Sequence, residues 1–294
     1  MKKIIGTLIA SLIVFLSACG GNDEEISTKE EVFSIGVIPA QTEGEMADAM
    51  ERLQKVLTQE LEQEVKVDVY PDYNGVVEAL NYDKIDMAYL GPLTYVVAQE
   101  KSGAKAIITQ LIDGEPYYYS YIITHKDNRW NSLDELLDNP TEIDFAFGDP
   151  SSTSGSLIPS IELQDQGVYT SENEHKFNSI RFTGSHDATA LAVQNKQVDA
   201  GAIDSAIYNQ LVDAGKIDAE QLKIVWQSEE LFQYPWAVHK DTDEETIQKL
   251  QEAFLAIDDN VILDAFGASG FTTATDDDYI SIKQAAIRQG FIEE

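Results

Sequence analysis

Cysteine, histidine and positive charge are scarce in this chain of 294 residues, and each scarcity removes a class of function. A single cysteine, Cys19, leaves no intrachain disulfide framework and no multi-cysteine metal site. Lys and Arg number 20 against 52 Asp and Glu, a formal charge of −32. A sequence-independent nucleic-acid binder displaces counterions with basic side chains, so that class is excluded. The four histidines show no HxxxH or HxH spacing, so a zinc site has no support, and no cofactor motif is present. There is no GxxxxGK[ST] phosphate loop and no GxSxG nucleophile elbow. What remains is an ordinary globular balance, 43% hydrophobic and 24% charged, which sets aside disordered and collagen-like chains. The length suits one large domain or two ordinary ones. The acidity implies a soluble, self-repelling surface and does not by itself imply a cationic ligand.

Long apolar runs are also rare. One stands at the start: Lys2 and Lys3 precede Ile4 to Leu16, broken only by Gly6, Thr7 and Ser11. Two positive charges followed by a short apolar run are the marks of a secretory signal, too short for a comfortable stable span. The run ends Leu16-Ser17-Ala18-Cys19, which resembles a bacterial lipobox. The blander reading is an ordinary signal peptide with an incidental cysteine. The position of the sole cysteine favours lipidation. Residues 1–18 are therefore read as a lipoprotein signal peptide and residues 19–31, polar and Gly-rich at first, as a flexible tether from lipidated Cys19. The expected location is the extracytoplasmic face of the cell membrane, held by lipid.

From Val32 onward the chain alternates strands and helices. Val32–Pro39, Val65–Tyr70, Ile85–Leu90 and Ala104–Leu111 read as strands; Met46–Leu61, Val76–Leu80 and Leu93–Lys101 read as helices. The pattern restarts with a long strand from Tyr118 to His125 and continues through Ile143–Gly148, Ile180–Phe182 and Val198–Ile203, with helices at Ser132–Leu137 and Asp187–Asn195. Ile224–Trp236 reads as a returning strand and Glu244–Ala256 as a helix. Such alternation calls for parallel sheets covered by helices, in two α/β lobes with a cleft between them.

The sharpest chemical signal is Gly148-Asp149-Pro150-Ser151-Ser152-Thr153-Ser154-Gly155. A strand ends there and a run of hydroxyls stands where a helix begins. Free amide N–H groups, the positive end of the helix dipole and serine hydroxyls together suit an oxyanion without Lys or Arg. A plain N-cap with surplus serines explains the same residues equally well. Gly184-Ser185-His186-Asp187-Ala188 opens another helix, where His186 could donate to an anion; an isolated loop histidine is the simpler account. Tyrosines stand at element ends, including Tyr73, Tyr89 and Tyr118, and could wall a ligand or merely fill a core. Asp204 ends a strand and is either a cleft residue or a helix cap.

These blocks, in this order, resemble the phosphate/phosphite/phosphonate substrate-binding proteins of bacterial ABC importers. The likeness rests on the lipobox, Pro71-Asp72-Tyr73, Ile85 to Gly91, Gly148 to Gly155, Gly184 to Val193 and Val198-Asp199. It implies a type II periplasmic-binding-protein fold with a two-stranded hinge and a ligand cleft. The implied lobes are residues 32–117 with 235–294, and residues 118–234. It further implies that Ser152, Thr153, Ser154, His186, Tyr73 and Tyr118 hold a small phosphorus oxyanion, with Tyr89, Asp204 and Tyr234 nearby. Members that take an aminoalkyl phosphonate carry two acids toward the ammonium; here those positions are Ala206 and Tyr234. That departure points to a small ligand without an amine, with Tyr234 closing the pocket against a tail. The implied partners are permease transmembrane subunits with a separate ATPase subunit, and the implied state is a monomer.

Other functions are compatible with the residues alone. A Ser/His esterase would use a serine near Ser152 with His186 and Asp204. The same fold could bind a sulfonate or a vitamin precursor, and a membrane-tethered sensor would need no permease.

Overall fold

The computed structural model describes residues 32–41 and 46–293. The signal peptide, Cys19 and the tether expected from the sequence lie outside the described residues. Among the described residues, no helix is long and apolar enough to cross a membrane, and no cluster of His, Cys, Asp and Glu could hold a metal ion.

Among the described residues are fifteen strands and ten α-helices; eleven of the strands build two sheets with helical covers and the other four form two short ribbons. In chain order the first part runs β1 (Phe33–Val37), α1 (Met46–Leu61), β2 (Val65–Val69), α2 (Tyr73–Asn81), β3 (Met87–Tyr89), α3 (Pro92–Ser102) and β4 (Lys105–Leu111). Two short strands, β5 (Tyr117–Tyr118) and later β13 (Leu231–Phe232), pair antiparallel as a ribbon of their own. The second part runs β6 (Ser120–His125), α4 (Leu133–Leu137), β7 (Asp144–Phe147), α5 (Ile158–Asp165), β8 (Tyr169–Ser171), β9 (Glu174–His175), β10 (Ser179–Phe182), α6 (His186–Gln194), β11 (Ala200–Asp204), α7 (Ser205–Asp213) and β12 (Leu222–Gln227). After β13 the chain returns with β14 (Pro235–Val238), α8 (Glu244–Leu255), α9 (Asn260–Ala265), β15 (Gly270–Thr273) and α10 (Ile280–Arg288).

The first sheet has the order β15-β4-β14-β3-β1-β2 and the second β10-β7-β11-β6-β12. Both are mixed, which amends the all-parallel expectation. Strands β1, β2 and β3 are parallel, but β14 lies antiparallel between β3 and β4. The reason is topological: a chain that leaves the first sheet along one hinge strand re-enters it along the other, running the opposite way. In the second sheet β7, β10 and β11 are parallel, while β6 is antiparallel to both β11 and β12. The single strand expected from Tyr118 to His125 is two, broken at Tyr119 where the hinge ribbon gives way to the second sheet. The returning strand expected from Ile224 to Trp236 is likewise three, β12, β13 and β14.

The cores follow from apolar spacing. In α1, Ala49, Met50, Leu53 and Leu57 recur on one face and are all buried. Strand β3 is buried on both faces, as a central strand covered on both sides must be. Around it packs an aromatic group: Trp236 lies 4.9 Å from Tyr89 and 4.8 Å from Phe254, with Phe266 5.0 Å from Tyr89. Such pairs contribute about 0.5–1.5 kcal/mol each beyond the area they bury. The second sheet carries two smaller clusters, one centred on Phe145 and Phe147 and one on Ile203, Tyr208 and Leu211. Helix α5 reaches across, with Ile158 and Ile161 packed on the first core.

Candidate functional site

The hydroxyl run after β7 forms a tight turn. Residues Thr153–Leu157 adopt one wide π-helical turn that leads into α5. Leu157 N–H donates to Ser152 O at 3.0 Å, and Ser152 Oγ caps the turn by accepting from Gly155 N–H at 3.0 Å. The turn folds back on the strand end, where Gly148 N–H donates to Gly155 O at 2.8 Å. A Cβ on Gly155 would come within 2.9 Å of Ser152 Oγ and 3.1 Å of both Gly148 Cα and His186 Cε1. Only glycine allows that approach. Amides of a first helical turn have no carbonyl behind them; Gly155 N–H is taken by Ser152 Oγ, and the amides before it and the serine hydroxyls remain as donors.

The other expected residues gather at this turn. His186 begins α6 and is buried at 1% exposure. Its Nδ1 accepts from Asp204 N–H at 3.3 Å, so the proton of the neutral ring is carried on Nε2. That nitrogen lies 3.4 Å from Ser152 Oγ and 3.3 Å from the Tyr234 hydroxyl. Burial lowers the His186 pKa to about 4, against a weak opposing pull from Asp187. The ring is therefore a neutral donor at physiological pH.

Three hydroxyls are buried without a hydrogen-bond partner among the described residues: Tyr73, Tyr118 and Ser154. The Tyr73 phenol faces Ser152, and the Tyr118 phenol faces Ser154 and Thr153. Burial pushes both phenols, and that of Tyr234, well above their ordinary pKa, so all three stay protonated donors. Thr153 Oγ1 accepts from Leu93 N–H at 2.8 Å and keeps its own proton to give. That bond joins the second lobe to the start of α3 in the first. His186 N–H to Ala40 O, at 3.1 Å, joins the lobes on the other side.

Asp204 is both things the sequence left open. Its Oδ1 caps α7, accepting from Ala206 N–H at 2.7 Å and Ile207 N–H at 3.0 Å. It is also buried at 1% exposure, and the carboxyl faces Ser154 and Tyr234. Burial raises its pKa to about 7, although the two capping amides and the hydroxyls of Tyr234 and Ser154 pull the other way. Tyr89 stands apart from the rest. Its hydroxyl donates to Gln110 Oε1 at 2.8 Å, and its ring, 5.7 Å from that of Tyr234, backs the pocket from outside. Its phenol is thus engaged by Gln110 rather than by the serine turn. Gln233, which sequence reasoning did not single out, is buried beside the pocket with its Nε2 unpartnered.

The esterase arrangement is not assembled. Asp204 meets His186 through its backbone N–H, and its carboxylate is committed to the α7 cap rather than to the imidazole. The assembly is a set of neutral donors around a small buried space, with one carboxyl at its edge.

The residues from 35 to 279 match the family model of the ABC transporter phosphonate periplasmic substrate-binding protein. The chain belongs to this family. Among its curated relatives, the phosphate-import protein PhnD of Mycolicibacterium smegmatis is 32% identical over 279 residues, covering 91% of this chain and 85% of the relative. The phosphonates-binding periplasmic protein of Escherichia coli is 26% identical over 97% of this chain and 84% of its own length. Among solved structures, PhnD1 of Prochlorococcus marinus in complex with methylphosphonate superposes with a TM-score of 0.79 at 27% identity, covering 89% of this chain and 99% of that one. A binding protein component of an ABC phosphonate transporter from Pseudomonas aeruginosa gives a TM-score of 0.80 at 26% identity, covering 89% of this chain and 87% of that one. Membership of the phosphonate-binding family makes this a type II periplasmic-binding-protein fold and an extracytoplasmic transport receptor, not an enzyme.

Proposed function

We propose that this protein captures a small phosphorus oxyanion, a phosphonate, phosphite or phosphate, and delivers it to the permease of an ABC importer. The observation that carries the reading is the convergence of the unpartnered Tyr73, Tyr118 and Ser154 hydroxyls with the His186 Nε2–H on one buried space. Ser152, Thr153 and Ser154, with the amides of their turn, would hold the oxygens from the second lobe, with Tyr118 and Tyr234 at its hinge edge; Tyr73 would close over them from the first. Residues 32–117 with 235–294 form one moving lobe and residues 118–234 the other. A ligand touching both stabilises the closed arrangement only through contacts absent when the lobes part.

Asp204 gives the site a proton requirement. A carboxylate beside a bound dianion is repelled, so one shared proton resides on Asp204 or on the ligand. The pocket then takes a singly charged oxyanion, or a dianion together with a proton. Ala206 and Tyr234 stand where an ammonium would need acids, and the one carboxyl beside the pocket, Asp204, is committed to the α7 cap; Tyr234, 3.3 Å from His186, limits a tail. The ligand is small and carries no amine.

Cys19 is proposed to bear the lipid, with residues 1–18 removed and 19–31 as tether. The receptor acts as a monomer outside the membrane, and ATP is hydrolysed on a separate subunit. Replacing Cys19 by Ala should release the protein from the membrane fraction.

Isothermal titration of the lipid-free protein, stripped of bound anion by partial unfolding, tests the reading. The series is phosphite, methylphosphonate, phosphate, 2-aminoethylphosphonate and sulfate, with Ser152→Ala and His186→Ala beside the wild type. One-to-one binding of a small phosphorus oxyanion, weakened in both variants, is expected. Tightest binding of 2-aminoethylphosphonate would overturn the argument from Ala206 and Tyr234. Binding of sulfate alone would overturn the phosphorus assignment.

A further inference from the structure

Next to the anion space lies a separate cavity of about 20 Å³. Its lining includes Tyr89, Gln110, Asp204, Ala206, Gln233 and Tyr234. Asp204 and Tyr234 belong to both spaces; the serine turn, Tyr73, Tyr118 and His186 do not line the cavity. That volume accommodates a single water-sized atom.

Gln233 is 1% exposed, and its orientation is fixed. Its Oε1 accepts from Tyr234 N–H at 3.0 Å; turning the amide over would set donor against donor. Nε2 is thereby directed away from that bond, buried and unpartnered among the described residues. The neighbouring polar groups are engaged with one another: Tyr89 donates to Gln110 Oε1, and Gln110 Nε2 donates to Phe266 O at 3.2 Å. An oxygen in the cavity would meet a donor in Gln233 and an acceptor in Asp204. A methyl group there would leave the amide unpaired.

We propose that this cavity is a one-oxygen compartment of the ligand site and that Gln233 sets its preference. The inference rests on the phosphorus-oxyanion reading. Three oxygens of a tetrahedral ligand face the serine turn and the tyrosines, and the fourth substituent faces the side bounded by Asp204 and Tyr234. The compartment takes the fourth oxygen of phosphate, or a water behind a smaller ligand, and disfavours an alkyl group. Gln233 thus favours phosphate over methylphosphonate.

The test titrates phosphate and methylphosphonate against the wild type, Gln233→Met and Gln233→Glu, with thermal melts of all three. Gln233→Glu keeps an oxygen for Tyr234 N–H, so it remains informative if the methionine variant folds poorly. In both variants phosphate affinity should fall about tenfold relative to methylphosphonate, the usual effect of removing one buried hydrogen bond. An unchanged ratio in a folded Gln233→Glu protein would overturn this inference and leave the transport reading intact. Failure of the wild type to bind either anion would overturn both.

Discussion

The two walls of the proposed anion pocket are held in place by different forces. On the second-lobe side, position comes from hydrogen bonds. Ser152 caps its own turn, Ser120 Oγ donates to Ser154 O at 2.7 Å, Asp204 caps α7, and the Asp204 amide orients His186. On the first-lobe and hinge side, position comes from packing. Tyr118 sits 5.5 Å from Tyr234, Tyr234 leans on Tyr89, and Tyr89 on Trp236, while the phenols of Tyr73 and Tyr118 have no hydrogen-bond partner among the described residues. The first wall is set by directional bonds and should tolerate little. The second is set by shape, which leaves its hydroxyls free for the ligand.

Gly155→Ala attacks the hydrogen-bonded wall at its tightest point and should have the largest effect. The added methyl meets Gly148 Cα and His186 Cε1 at 3.1 Å, so backbone or imidazole must move. Overpacking of this kind costs about 1–3 kcal/mol of stability. Displacing Ser152 and His186 together should weaken the anion complex on the order of 100-fold, each bond to a charged ligand being worth ~1.5–3 kcal/mol. Urea melts and titration calorimetry on the same preparation read both numbers. Near-normal affinity would mean that the wall is more compliant than its geometry implies.

The same wall holds two buried titratable groups that oppose each other. Asp204 has a pKa raised to about 7, so between pH 4 and 7 the folded protein binds a proton that the unfolded chain has released, and stability from this group falls as pH rises. His186 has a pKa lowered to about 4, so between pH 4 and 6.5 the folded protein lacks a proton that the unfolded chain holds, and stability from this group rises. The two nearly cancel across pH 4–6.5. Asp204→Asn, which can still cap α7, removes the falling component. Its stability should climb by about 3 kcal/mol from pH 4 to 6.5 relative to the wild type. Chemical denaturation at half-unit steps checks this; parallel curves would show that Asp204 titrates normally.

Tyr73→Phe against Ser152→Ala separates the walls directly. The phenylalanine keeps the packing and removes a hydroxyl that bonds nothing within the described protein. Binding should weaken about tenfold or more while stability holds or rises slightly. Ser152→Ala removes a cap as well as a ligand donor, so it should lose about 1 kcal/mol of stability in addition to affinity. A Tyr73→Phe protein that melts early would place Tyr73 in the hydrogen-bonded class after all.

This contrast also explains what could be read in the sequence. The polar wall was legible because its residue types announce their geometry: hydroxyls and glycine after a strand, then Gly184-Ser185-His186 opening a helix. Asp204, left open there, caps α7 and also turns a buried carboxyl toward Ser154 and Tyr234. The aromatic wall was legible only by resemblance, since nothing local distinguishes Tyr73 from the other tyrosines among 13. Tyr89 shows the difficulty: a tyrosine at a strand end, yet its phenol belongs to Gln110. Gln233 gave no signal, because the role proposed for it rests on one bond from Tyr234 N–H that leaves its Nε2 without a partner among the described residues. In the fold, strand–helix alternation identified the two lobes but not the antiparallel β14, whose direction depends on where the hinge returns the chain. Helix α7 went unread although Asp204 caps it and Ala206, Ile207, Tyr208 and Leu211 form its buried face.

The smallest expected effect concerns the approach to the pocket rather than its walls. Grooves between the lobes are lined by Asp113, Glu115 and Glu230 in one case and Asp113, Asp213 and Asp264 in the other. Over a chain of formal charge −32, these acids repel an arriving anion. At low salt the repulsion reaches well beyond the surface; at 0.15 M it is cut to about 8 Å. The association rate should therefore rise a few-fold as ionic strength increases, more for a dianion than for a monoanion, with little change in the dissociation rate. Stopped-flow measurement with phosphate and methylphosphonate at two salt concentrations provides the comparison. A rate that falls with salt would mean that the donor turn projects an attractive field past the acidic rim. In that case the hydrogen-bonded wall would steer the ligand as well as hold it.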